Sequence, residues 1–137
     1  MNKLVIDSSA ILALIFREKG SEAIAPLLPG SLMSAVNVAE VFSKLSEKGL
    51  LTDERVSNFY KLELNITDFD TEQSRKAAEL RGLTMHLGLS LGDRCCLALA
   101  ILQNATAITT DRTWEAFELC PVRMIDRGSA LAIPTLR

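Results

Sequence analysis

Residues 4–6 are Leu-Val-Ile, three apolar residues with no polar alternation, and Asp7 follows at once. A run this short and this apolar reads as a strand buried on both faces. Comparable segments recur along the chain at residues 31–33, 65–69, 107–110 and 122–125, with helical stretches between them. Residues 9–16 are apolar almost all round, as in a buried helix. Gly20 ends that unit, residues 21–28 form a second short helix, and Pro29-Gly30 marks a turn. Residues 36–48 carry Val38, Val41, Phe42 and Leu45 on one stripe, with Gly49 as the stop signal. Residues 53–62 form a helix with Val56, Phe59 and Tyr60 toward one side, and residues 71–81 another, closed by Gly82. A glycine-bounded loop at 83–89 contains His86. Ser90 opens a strongly apolar helix to about residue 102, a helical turn covers 114–117, and a weakly specified tail follows the last strand.

Short apolar strands separated by helices predict an α/β protein with a parallel sheet covered on both sides, a three-layer αβα sandwich. Such a sheet places its ligand site beyond the carboxyl ends of the strands, near the switch point of strand order. The length, 137 residues, fits a single domain over residues 1–137. A chain of this size can bury roughly 68% of its unfolded surface.

Hydrophobic residues make up 48% and charged residues 23%, so neither a disordered nor a membrane-embedded chain is indicated. The net charge of −2 argues against general electrostatic binding of nucleic acid. If four of the 17 acidic residues gather round a cation, however, 13 face 15 basic residues, and the remaining surface is +2. Cys95, Cys96 and Cys120 are odd in number with two adjacent, a poor disulfide framework, and read as reduced core residues. With His86 the sole histidine, no zinc spacing is visible. The apolar N-terminus is broken by Asp7, Ser8 and Ser9, so it reads neither as a signal peptide nor as a membrane span, and a cytoplasmic protein is expected.

Four acids stand where a site is expected. Asp7 follows Leu-Val-Ile and Asp111 follows Ala-Ile-Thr-Thr, both at strand ends. Glu40 and Asp93 lie near helix starts, in Asn37-Val-Ala-Glu40 and Ser90-Leu-Gly-Asp93. Each has a structural alternative. Ser90-x-x-Asp93 and, more loosely, Asn37-x-x-Glu40 resemble capping boxes. Asp7 with Ser8 and Ser9 could form a turn, as could Asp111. Their convergence on one edge favours a common site. Four clustered carboxylates need a counter-charge. A divalent ion supplies it, and oxygen-only donors select Mg2+ or Mn2+.

The ordered set of motifs resembles the PIN-domain ribonucleases, and among them the VapC toxins. Five segments carry the resemblance across essentially the whole chain: Leu-Val-Ile-Asp7-Ser-Ser-Ala; Ser-Ala-Val-Asn37-Val-Ala-Glu40-Val; Leu-Gly-Leu-Ser90-Leu-Gly-Asp93-Arg94; Leu97-Ala-Leu-Ala; and Ile-Thr-Thr-Asp111-Arg-Thr-Trp114. The resemblance implies an αβα sandwich, Mg2+ or Mn2+ dependence, endonucleolytic cleavage of structured RNA, homodimers and inhibition by a VapB-type antitoxin. It carries Asp7, Glu40, Asp93 and Asp111 over as the acidic site, with Glu115 as a possible addition.

Neighbouring residues are secondary candidates, each with a plainer alternative. Ser8 and Thr110 could hydrogen-bond the strand-end acids or only form turns. Asn37 could orient Glu40, contact substrate, or cap a helix. Arg94 and Arg112 could hold phosphate or form solvated or salt-bridged surface. Trp114 could stack a base but suits the core better, and His86 suits polar surface. The stripe Val38, Phe42 and Leu45, with Phe59 and Tyr60, exceeds what one small core needs, so part of it is expected to form a dimer or antitoxin surface. Three other functions compete: a housekeeping PIN nuclease, a non-catalytic protein-binding module, and a receiver-type domain. The last lacks its paired acids after the first strand.

Overall fold

In the computed structural model, which describes residues 3–126, five strands form one all-parallel sheet. They are β1 (Leu4–Ile6), β2 (Leu32–Ser34), β3 (Asn65–Thr67), β4 (Thr106–Thr109) and β5 (Val122–Met124), in the order β3-β2-β1-β4-β5. The register pairs Val5 with Leu32 and Ala107, Met33 with Ile66, and Ile108 with Arg123. Strand order reverses at β1, which pairs with both β2 and β4. The β1/β4 crevice is therefore the switch point at which an open parallel sheet places a ligand.

Five helices cover the sheet: α1 (Ser8–Ile15), α2 (Ala35–Glu47), α3 (Asp53–Tyr60), α4 (Thr71–Leu83) and α5 (Leu91–Leu102). Side chains alternate across the strands and divide the core in two. Val5 and Ala107 join Ala77 and Leu80 of α4, Cys95 to Ala100 of α5, Trp114 and Phe117. Ile6, Met33 and Ile108 join Ala10, Ile11 and Ala13 of α1, Val38, Val41 and Leu45 of α2, and Phe59 of α3. These are the three layers of the expected sandwich. Among the described residues no helix is long and apolar enough to cross a membrane.

Several expectations about the elements are corrected. Residues 21–28 form two 3-10 turns, Ser21–Ala23 and Ala25–Leu27, not one helix. Pro26 has no N–H to donate back along an α-helix there. Gly82 lies inside α4, which closes at Thr84, whose N–H and hydroxyl both donate to the Leu80 carbonyl. The 83–89 loop contains a 3-10 turn, Met85–Leu87, and the turn near Trp114 spans Arg112–Ala116. Helix α2 is capped by Ser34, so Asn37 is an interior residue of its first turn and not a cap. Strand β4 ends at Thr109, one residue early, which decides which threonine meets Asp7. The C-terminal tail lies outside the described residues.

Trp114, Val38, Leu45 and Phe59 are buried core residues. Of the aromatic stripe, Tyr60 is 56% exposed and Phe42 half-buried, in edge-to-face contact with each other and with Phe59. Cys95 and Cys96 are buried, Cys120 is half-buried, and all three are free thiols.

Candidate active site

Asp7 stands at the carboxyl end of the central strand, its N–H extending the β1–β4 ladder to the Ile108 carbonyl. It occupies the N-cap position of α1, yet its side chain makes no capping bond. The carboxylate turns into the protein, where it is 2% exposed. Ser9 Oγ donates to Oδ2 at 2.6 Å and Thr109 Oγ1 donates to the same oxygen at 2.9 Å. Oδ1 is buried and has no hydrogen-bond partner among the described residues. A plain turn-forming aspartate would not be so placed. Burial pushes its carboxyl up to about 6, assisted by Asp93 and Glu40 and opposed by the bonds from Ser9 and Thr109.

Glu40, half-buried on α2, accepts from Asn37 Nδ2 at 2.7 Å and Ser8 Oγ at 3.1 Å, both on Oε1. Asp93 is the N3 residue of α5 and closes a capping box. Its N–H donates to Ser90 Oγ, and Ser90 N–H donates to its Oδ2 at 2.9 Å. The capping role of Asp93 is therefore real, but it occupies one oxygen only. Burial raises its carboxyl above the usual range, with Asp111 and Glu40 adding to the rise and the Ser90 bonds opposing it. Asp111 caps the 3-10 turn through Oδ1, which accepts from Thr113 N–H and Thr113 Oγ1.

These acids act on one another. Glu40 and Asp93 bear on Asp7, while Asp111 and Glu40 bear on Asp93. Burial raises the thiol of Cys96 on α5 well above its usual range, with Asp7, Cys120, Asp93 and Glu40 adding to the rise. Among the described residues no group of three or more Cys, His, Asp or Glu side chains is close enough together to hold a metal ion as it stands. Protein donors fall on Oδ2 of Asp7, Oε1 of Glu40, Oδ2 of Asp93 and Oδ1 of Asp111, and among the described residues the buried Oδ1 of Asp7 has no partner.

The secondary candidates separate. Ser8 contacts Glu40 rather than Asp7. Thr110 contributes only its N–H, to Ser9 Oγ, and Thr109 is the threonine that meets Asp7. Thr109 Oγ1 also accepts from the Asp111 N–H, so it ties the two strand-end acids together. Arg94 Nη1 donates to the Ala77 carbonyl on α4, a role between helices. Arg112 pairs with Asp126 at 3.6 Å. Glu115 and His86 are exposed.

Sequence reasoning missed Ser9, Thr109 and Gly92. Period-two alternation could have found Thr109, given the true end of β4, since it lies two residues before Asp111 on the same side. Gly92 left no signal. A Cβ at Gly92 would overlap the Glu40 carboxylate, so glycine there lets α5 approach that acid.

A parallel α/β sandwich with carboxylates at its switch point defines the class, and the sequence supplies the family. The family model for the PIN domain matches residues 4–118, and the chain belongs to that family. No curated protein sequence matches it. Among solved structures, a toxin–antitoxin complex from Klebsiella pneumoniae contains a chain 16% identical, with TM-score 0.73, covering 91% of this chain and 99% of that one. VapBC2 from Rickettsia felis, bound to a promoter DNA fragment, matches at 19% identity and TM-score 0.70, covering 90% and 98%. DNA-bound VapBC from Salmonella typhimurium matches at 16% and 0.72, covering 92% and 100%. At these identities the likeness is one of fold.

Proposed function

We propose that the chain is a divalent-cation-dependent endoribonuclease that hydrolyses RNA phosphodiester bonds, and that it is the toxin of a VapBC-type toxin–antitoxin pair in the cytoplasm. One observation carries this reading. Asp7, at the switch-point end of the central strand and under the charges of Asp93 and Glu40, keeps a buried Oδ1 with no hydrogen-bond partner among the described residues. Leaving a polar atom so placed costs about 1–3 kcal/mol unless a ligand engages it.

Asp7, Glu40, Asp93 and Asp111 would hold Mg2+ or Mn2+, the hard ions suited to carboxylate oxygens. When bound, such an ion neutralises the cluster, polarises a water and offsets charge on a phosphodiester. The chain's other residues orient the acids. Ser9 and Thr109 fix Asp7, Asn37 and Ser8 fix Glu40, Ser90 fixes Asp93, and Thr113 fixes Asp111. The toxin assignment is supported by the PIN family match and by the fold shared with chains of VapBC complexes. The proposed partners are a VapB-type antitoxin and a second copy of the chain, with Phe42 and exposed Tyr60 as candidate surface.

Incubating the purified, partner-free protein with total RNA tests the activity. Discrete cleavage is expected with Mg2+ or Mn2+ and none in chelator. Intact RNA with both ions, or equal cleavage in chelator, would contradict it.

A further inference from the structure

We propose that Asn37 and Gly92 form a lock between α2 and α5 that sets the position of the Glu40 carboxylate, and with it the affinity of the acid cluster for a divalent cation. The inference rests on the acidic-site reading above and adds two positioning residues to it.

Asn37 is completely buried, an unusual state for a side chain with two donors and an acceptor. Both amide protons are used. Nδ2 donates to Glu40 Oε1 at 2.7 Å and to the Gly92 carbonyl at 3.1 Å. Reversing the amide would set its oxygen against two acceptors, so the orientation is determined by its neighbours. Oδ1 is left buried, with no partner among the described residues.

Gly92 closes the other side. It is the second residue of α5, and a Cβ there would overlap the carboxyl group of Glu40. Alanine is the better helix former. Glycine at this position is explained by the space it leaves for Glu40. The acid is thus gripped by an amide from its own helix, three residues back on the same face, and by the bare backbone of the facing helix.

The test is Mn2+ binding to the purified, partner-free protein by calorimetry, without RNA. Asn37→Ala and Gly92→Ala should each weaken binding by about tenfold or more, as loss of outer-shell partners does. In a Glu40→Ala background neither change should weaken it further, because the group they position is gone. In that background Gly92→Ala should also melt no lower than Glu40→Ala alone, since its Cβ has nothing left to meet. Wild-type affinity in both single variants would overturn the lock, and so would an equal loss with and without Glu40. A lower melting temperature in the Gly92→Ala, Glu40→Ala double variant would overturn the steric half. If Glu40→Ala itself binds Mn2+ like the wild type, the acidic-site reading fails, and the lock fails with it.

Discussion

Asp7→Asn is expected to lower ion-dependent RNA cleavage by more than about a hundredfold, beyond what loss of an outer-shell partner costs, with the fold intact. The substitution is nearly isosteric. The amide oxygen can still accept from Ser9 and Thr109, which donate to Oδ2 in the native protein. What changes is the other position: the buried Oδ1 becomes an NH2 group, which donates hydrogen bonds and does not ligate a cation. A far-ultraviolet circular dichroism spectrum like that of the wild type, with RNA left intact in Mg2+, is the predicted pair of results. Full cleavage by the variant would remove Asp7 from the site.

The second large effect concerns pH. Burial first, then Asp93 and Glu40, holds the Asp7 carboxyl at about 6 in the folded chain, against an ordinary 3.8. Well below pH 4 the group is protonated whether folded or unfolded, and no charge is buried. As pH rises from about 4 to 6 the unfolded chain releases this proton while the folded chain retains it. Wild-type stability must then fall relative to Asp7→Asn, by about 3 kcal/mol over the window, levelling above pH 6. The raised Asp93 carboxyl acts in the same direction and is present in both proteins. Urea unfolding of the two proteins in chelator, from pH 4 to pH 7.5, measures the difference. With saturating Mg2+ the gap should narrow or invert at neutral pH, because the ion favours the ionised form. A difference independent of pH would mean that Asp7 is neither buried nor crowded as described.

The sandwich was legible in the sequence because strands buried on both faces need continuous apolar runs. Leu4-Val5-Ile6 shows this most clearly, its residues alternating between the two core clusters. Element ends were less legible because caps depend on single side chains. Ser34, not Asn37, starts α2, and that shift turns Asn37 from a cap into a buried partner of Glu40. The positions of Asp7 and Asp111 at strand ends could be read from local pattern. The contact between Glu40 and Gly92 could not, since it joins two helices that only the folded sheet brings together. A one-residue difference at the end of β4 likewise exchanged Thr109 for Thr110 beside Asp7. Arg94 could be read as a phosphate ligand only while its tie to the α4 backbone was hidden.

The central claim is that all four carboxylates belong to one ion site, and Asp111 tests it best. Its Oδ1 caps the 3-10 turn, so it has a structural role that could account for it entirely. Thermal melts of wild type and Asp111→Asn, each in chelator and in Mg2+ at a hundredfold excess over its dissociation constant, separate the two roles. Ion binding to the folded state alone stabilises the wild type by about 2.7 kcal/mol, roughly 10 °C for a chain of this size. The variant should show a clearly smaller ion-induced shift and, in chelator, a melting temperature no lower than wild type, because one like charge has been removed. The same ion-induced shift in both proteins, with the variant melting lower throughout, would show Asp111 to be a turn-forming residue and contradict the four-carboxylate site.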